Sequence, residues 1–437
     1  MKFLRQLTRI ANYAIAASVL AGYLVMAGWY GWFPSPIVVW VDSAFRTTME
    51  RFGVPWYFDI LADGPEFETR DADRLQPGLL LVVGVGADRK NFIKVIDRNG
   101  TELQSWNPDW FEHFTDPEGV AASRIPNSQP GAPVHGAVVT ADGELVFNFE
   151  KLSTMRLDAC GAAVWKLLNQ GHHSIHQDRA GNFWVPVATE RDGLHPDFRN
   201  IGGPHEEDFI QRIGAQGQVL MEKSLFEVMR ENGLHGLLYL STNRNAETLV
   251  AGDILHANDI EVFEGDNEGA VVRRGDILVS LRNISTILLL DPVDFRVKAH
   301  LTGNFLRQHD PDFIGGDRIL IYDNNNLFPT RRSNDPGSRI LIADLATGET
   351  ETFFEGSGET AFFSSIMGKT QLLENGNLMV TASKEARAFE VSPDGEMLWQ
   401  MRNLIGGGRG AILTSVDVLP AHMDDAFFAA ARARCAS

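Results

Sequence analysis

Positive charge is in short supply in this chain. Its 437 residues carry 39 Lys and Arg against 57 Asp and Glu, a net charge of −18. Nucleic-acid binding needs a basic face that displaces counterions, so that class is excluded. An anionic small molecule would need a local basic site set against the overall field. Cysteine is scarcer still, with Cys160 and Cys435 alone. In an oxidising compartment they could pair and tie the C-terminus to an early part of the chain; two unrelated free thiols are an equal reading.

Charge is missing altogether from residues 10–41. About 20 apolar residues suffice to span the hydrocarbon of a bilayer, and residues 14–33 are dense in Ala, Val, Leu, Tyr and Trp. Lys2, Arg5 and Arg9 precede the run and place the N-terminus in the cytoplasm. Trp29, Tyr30, Trp32 and Phe33 fall where interfacial aromatics belong. No Ala-x-Ala cleavage site follows, which favours an uncleaved anchor over a signal peptide. The expected organisation is a cytoplasmic N-terminus (1–9), a transmembrane anchor (10–33), a linker (34–77), a β domain (78–420) and a C-terminal tail (421–437). The β domain should then lie outside the cytoplasm.

What the chain does have is repetition. Six copies of one unit begin at Gly78, Gly143, Gly181, Gly275, Gly316 and Gly376. Each is a Gly-containing turn, an apolar strand, a gap, and a strand ending near Asp, as in GDILVSLRNISTILLLDPVDFRV from Gly275. Repeated units of about four strands mark a β-propeller. The fold class expected is therefore all-β, a six-bladed β-propeller behind an N-terminal transmembrane helix. The long gap between Gly181 and Gly275 holds an insertion over one face, with a helix over 224–232.

Histidines recur with these units. His135 lies eight residues before Gly143, His173 eight before Gly181, His309 seven before Gly316, and His256 precedes Gly275 at longer range. The innermost strands of a propeller line its axis, so these four residues are expected to converge on one funnel. The first and last copies carry Arg70 and Gly368 instead, so building a blade does not require the residue. His172 and His176, in GHHSIHQDRAGNFWVP, are expected to support a tautomer or face solvent. A metal site would need a carboxylate or thiol motif beside the histidines. The sequence shows none, so no metal is expected.

Arg331 and Arg332 follow the strand that ends at Asp323. Arg presents a fixed fork of donors to a tetrahedral oxyanion, and His moves protons near neutral pH. Gln308-His309, Asp323-Asn324-Asn325 and Arg331-Arg332 resemble the Gln-His…Asp-Asn-Gly…Arg segment of bacterial arylsulfotransferases. His256-Ala257-Asn258-Asp259-Ile260, followed by Ser280 to Thr286 with Arg282, is similar to their His-x-Asn-Ser-Ile…Ser-x-Arg-x-x-Ser segment. The likeness covers about residues 130–400.

This resemblance implies a six-bladed periplasmic propeller that moves a sulfuryl group from an aryl sulfate to a phenol; the uncharged N-terminal run would anchor it in the inner membrane. It implies no cofactor and no nucleotide sulfate donor. His309 would be general acid and base, His256 would bind the sulfuryl oxygens or share the proton, and Arg331 or Arg332 would neutralise charge. His135, Arg282 and Asn324 would complete the substrate site. One departure stands out. The family's sulfated histidine falls in a segment matching residues 381–391 here, which contains no histidine. Lys384 and Arg387 stand there and could hold sulfate. Either His173 replaces the nucleophile, or transfer is direct, or the site binds an anion without turnover. The alternative function is a non-catalytic propeller serving as an accessory subunit of a membrane complex, with its partner unspecified.

Overall fold

A computed structural model describes residues 58, 60–118, 120, 124–239, 249–327 and 336–435. The anchor segment 10–33 lies outside them. No helix among the described residues is long and apolar enough to cross a membrane.

Six sheets, one for each repeat, make up most of the described domain; five are antiparallel, and sheet 3, built on His176–Gln177, Phe183–Arg191, Ile201–Ile213 and Val219–Ser224, adds Val250–Asp253 in parallel to its third strand. Sheet 2 is Val134–Val139, Leu145–Phe149, Ser153–Leu157 and Ala163–Leu167; sheet 4 is Ala257–Val262, Ile277–Leu281, Thr286–Leu290 and Val297–Thr302. Sheet 5 starts with His309–Gly315 and sheet 6 with Lys369–Leu372. First strands of neighbouring sheets lie side by side, a propeller-like arrangement. Because sheets stack face to face, their second strands are buried on both sides: every residue of Leu145–Phe149 and Ile277–Leu281 is buried. That is why these strands read as continuous apolar runs rather than alternating ones. Each fully buried Leu, Ile or Phe contributes about 1.5–3 kcal/mol.

The turns follow from their residues. Asp178 N donates to Asn182 O at 2.9 Å, and Gly181 N donates to Asp178 O at 2.8 Å. Gly181 has φ of +81°, a conformation open to glycine at little cost. In the insertion, the helix Leu225–Glu231 starts where Ser224 Oγ accepts from Glu227 N, and it buries Leu225, Phe226, Val228 and Met229.

Three boundaries differ from expectation. Sheet 1 takes its first strand, Leu413–Val418, from the C-terminal end of the chain and pairs it with Leu80–Val85. The stretch before Gly78 therefore cannot supply an inner strand, and Arg70 never held the histidine position. Part of the expected linker instead forms strands: Phe67–Thr69 adds an outer edge to sheet 6, and Ile60–Leu61 joins a small sheet with Arg409–Gly410. The expected tail forms a helix, Asp425–Cys435, docked through Phe428 and Ala431. A Cys160–Cys435 disulfide fastens it, so the pairing reading holds over free thiols.

Candidate active site

The four repeat histidines meet. His173 is central: its ring centroid is 4.2 Å from His135, 4.7 Å from His256 and 6.2 Å from His309. Local backbone irregularity aims them. Register shifts follow Val134, Ala257 and His309 at the starts of three first strands, the kind of bulge that redirects a side chain next to a site. His173 and His256 have φ of +53° and +55°, a left-handed backbone that costs roughly 1–3 kcal/mol at each. Gly136 has φ of +81°, and a Cβ there would lie 1.8 Å from the carbonyl oxygen of His173. Only glycine lets these two loops come together.

Carboxylates stand behind the rings. His135 Nδ1 is 3.1 Å from Glu150 Oε2, and His256 Nδ1 bonds Asp253. His256 Nε2 lies 3.2 Å from His173 Nε2, and His173 Nδ1 lies 2.8 Å from His172 Nδ1. Asp253 fixes the proton of His256 on Nδ1, so one proton is shared between the two Nε2 atoms. Asn324 donates to the carbonyls of Ser364 and Met367, leaving its Oδ1 to accept from His309 Nδ1 at 2.6 Å. The other nitrogen of His309 accepts from Met367 N at 3.2 Å. Both nitrogens of His309 are therefore engaged by protein.

Burial dominates the electrostatics. It lowers His172 to about 3 and His256 to about 4. His173 falls well below the ordinary value through burial and the neighbouring rings; His309 does so through burial and Arg282. His172, His173, His256 and His309 are thereby held as neutral imidazoles near pH 7. Burial opposes ionisation of Glu150 and Asp253, but their hydrogen bonds to His135 and His256 and the charge of Lys151 hold both below the usual carboxylate range. Asp208, beside His172, is raised to about 8 by burial and by Asp253 and Glu206.

The other expected residues divide. Arg282 Nη2 lies 3.8 Å from Asp253 Oδ2, so a guanidinium belongs to the cluster. Asn324 orients His309 instead of presenting a free amide. Lys384, in the short turn Ser383–Glu385, has its ammonium pKa lowered by burial. Arg387 does not serve as an anion site: it sits in the third strand of sheet 6, bonded to Gln400, Ala361 O and Glu359 O. Its donors are spent on protein acceptors. Arg331 and Arg332 lie outside the described residues. His172 joins the cluster, whereas His176 lines a separate cleft with Glu261 and Phe313.

Sequence reasoning missed Glu150, Asp253, Asp208 and Gly136. Asp253 was within reach, three residues before His256 in GDILH; the dipeptide His135-Gly136 was a hint of a forced close approach.

A model of the family described as arylsulfotransferase matches residues 136–404, more than half of the chain, a range that includes His173, His256 and His309 and begins one residue after His135. The chain belongs to the arylsulfotransferase family. No curated protein matches it. Among solved structures, this arylsulfotransferase-family chain is similar to a protein of unknown function from Bacteroides caccae (12% identity, 78% of this chain and 98% of that one, TM-score 0.46). A streptogramin B lyase structure aligns over 81% of this chain and 97% of its own at 10% identity, TM-score 0.40. The WD40 β-propeller domain of Doa1 aligns over 83% and 87% at 9% identity, TM-score 0.40.

Proposed function

We propose that the six sheets are the blades of one propeller, anchored in the inner membrane through residues 10–33 and facing the periplasm. Its histidine cluster transfers a sulfuryl group directly from an aryl sulfate to a phenol. One observation carries the reading: three imidazoles from neighbouring repeats meet around His173, two of them backed by carboxylates, with Arg282 alongside. The phenol oxygen attacks sulfur while its proton passes to the His256–His173 pair. The S–O bond to the donor aryl group breaks, and the departing phenolate recovers that proton. Arg282, with Arg331 or Arg332, balances charge on the sulfuryl oxygens, the term that dominates such loose transfers. His309 positions the site. His135 Nε2 makes no hydrogen bond among the described residues, and it is the nitrogen open to a covalent route.

Detergent-extracted full-length protein, given a chromogenic aryl sulfate, should release the chromophore only with a phenol present, and that phenol should emerge sulfated. An acid-labile sulfated histidine after donor alone, at His135 or His173, would replace direct transfer by a two-step route. No transfer across varied donors would overturn the enzymatic reading. The third strand of sheet 3 and the added strand Val250–Asp253 bring Asp208 and Asp253 in against the rings, which favours the non-catalytic accessory subunit in that event. A reporter fused after residue 60 should be active only when exported; a cytoplasmic signal overturns the topology.

A further inference from the structure

The carboxylate that the sequence motif lacked is supplied by the fold. We propose that His135, His173 and Glu150 form a binding site for one divalent first-row transition-metal ion, two imidazoles and a carboxylate with open positions. One donor atom from each residue lies within 4.8 Å of the other two. His135 Nδ1 and His173 Nδ1 stand 3.1 and 3.5 Å from the two oxygens of Glu150. Bonds of about 2.0–2.2 Å to an ion at their centre need only a small contraction of this set.

The proton pattern fits a cation there. Asp253 holds the proton of His256 on Nδ1, so His256 Nε2 accepts from His173 Nε2–H across 3.2 Å. His173 Nδ1 then carries its lone pair toward the Glu150 carboxylate. A lone pair facing an anion calls for something positive between them. A ligand imidazole whose other N–H is tied down through a chain ending in a carboxylate is the usual outer arrangement of a metal site. His172 Nδ1, 2.8 Å from the same lone pair, is the competitor that can donate a proton to it. His172 Nε2 is buried and without a hydrogen-bond partner in either tautomer, so a cation at His173 Nδ1 has to displace only this one proton.

The donors are also held in place. Glu150 Oε2 accepts from the backbone N of His173 at 3.2 Å, so the carboxylate is tied to the residue whose ring it faces. Lys151, the nearest ammonium, is committed to Glu206 and lies 3.9 Å from Asp253. A set of two nitrogens and one oxygen suits zinc or ferrous iron and is poor for calcium or magnesium, which take oxygen ligands.

This inference does not rest on sulfuryl transfer, and its readout is metal content. Full-length protein carrying no polyhistidine tag would be stripped with a chelator and titrated with Zn2+, and separately with Co2+, whose visible spectrum reports its ligands. One equivalent should bind per chain, with a Co2+ spectrum of mixed nitrogen and oxygen ligation. Glu150→Gln and His135→Ala should weaken binding at least 100-fold, while surface His422→Ala leaves it unchanged. Substoichiometric binding by the wild-type chain overturns the proposal without any variant having to fold. So does a Glu150→Gln protein, folded by circular dichroism, that binds Zn2+ as tightly as wild type.

Discussion

Two regions on the same strands solve burial of charge in opposite ways. At the start of sheets 4 and 5 stand His256 and His309; further along the same first strands come Asp259 and Glu261, and Asp310 and Asp312. Around the histidines, Glu150 and Asp253 stay ionised because imidazoles and Lys151 face them. Around the acids, the cation is Lys369, 3.6 Å from Asp310 and 3.3 Å from Asp417. There burial and neighbouring carboxylates push Asp259 up to about 7, and raise Glu261 and Asp312 well above the usual range. Depth alone does not decide ionisation. The ratio of acids to their partners does.

The sharpest way to break the histidine side is His256→Ala. Losing a group that takes the acceptor's proton should lower kcat by about 10²–10⁴, measured with an aryl sulfate and a phenol; a loss under tenfold would move the base elsewhere. On the acidic side, Lys369→Met leaves the carboxylates without their cation. It should destabilise by about 3–5 kcal/mol at pH 8, and less at pH 5, where the acids can carry protons. Equal losses at both pH values in urea melts would show that Lys369 matters for packing alone.

Gly136→Ala tests the approach of the loops. A Cβ 1.8 Å from His173 O, at a φ of +81°, should cost about 2–4 kcal/mol in strain and displacement. A variant with unchanged melting would mean that the two loops separate freely. At neutral pH and below, the change expected from Asp259→Asn is one of slope rather than size, and its sign distinguishes the two regions. The folded carboxyl titrates near 7, the unfolded one near its ordinary value. Wild type therefore loses stability as pH rises from about 4 to 7, and Asn does not. The stabilisation by Asn should grow across that window and level off above it. A gain that shrinks with rising pH would place an ionised Asp259 in the folded protein.

The repeats and turns were legible because their causes are local. Asp178, Gly181 and Asn182 close their own turn, and the alternation of apolar runs with glycines marks six sheets. The convergence of His135, His173, His256 and His309 followed from equivalent positions. The carboxylates were not legible in the same way. Glu150 follows a second strand rather than a first one, and it reaches His135 only because the hairpin folds back. Arg387 misled for the complementary reason. Sequence places it near the segment where the family keeps a histidine, but a third-strand position turns its guanidinium toward the carbonyls of Glu359 and Ala361.

The interleaved ends impose an order on synthesis. Leu80–Val85 is made early, yet its inner neighbour Leu413–Val418 emerges more than 300 residues later. At about 5–20 residues per second, the first sheet waits roughly 15–65 s with one edge bare. During that interval the strand presents open hydrogen-bonding groups to any other nascent chain. Growing polypeptides crowded together are thus at greatest risk of pairing wrongly just before the last strand of the first sheet is made. A stop codon shortly before residue 413 would leave every copy permanently in that state, with five sheets translated whole and the first one short of a strand.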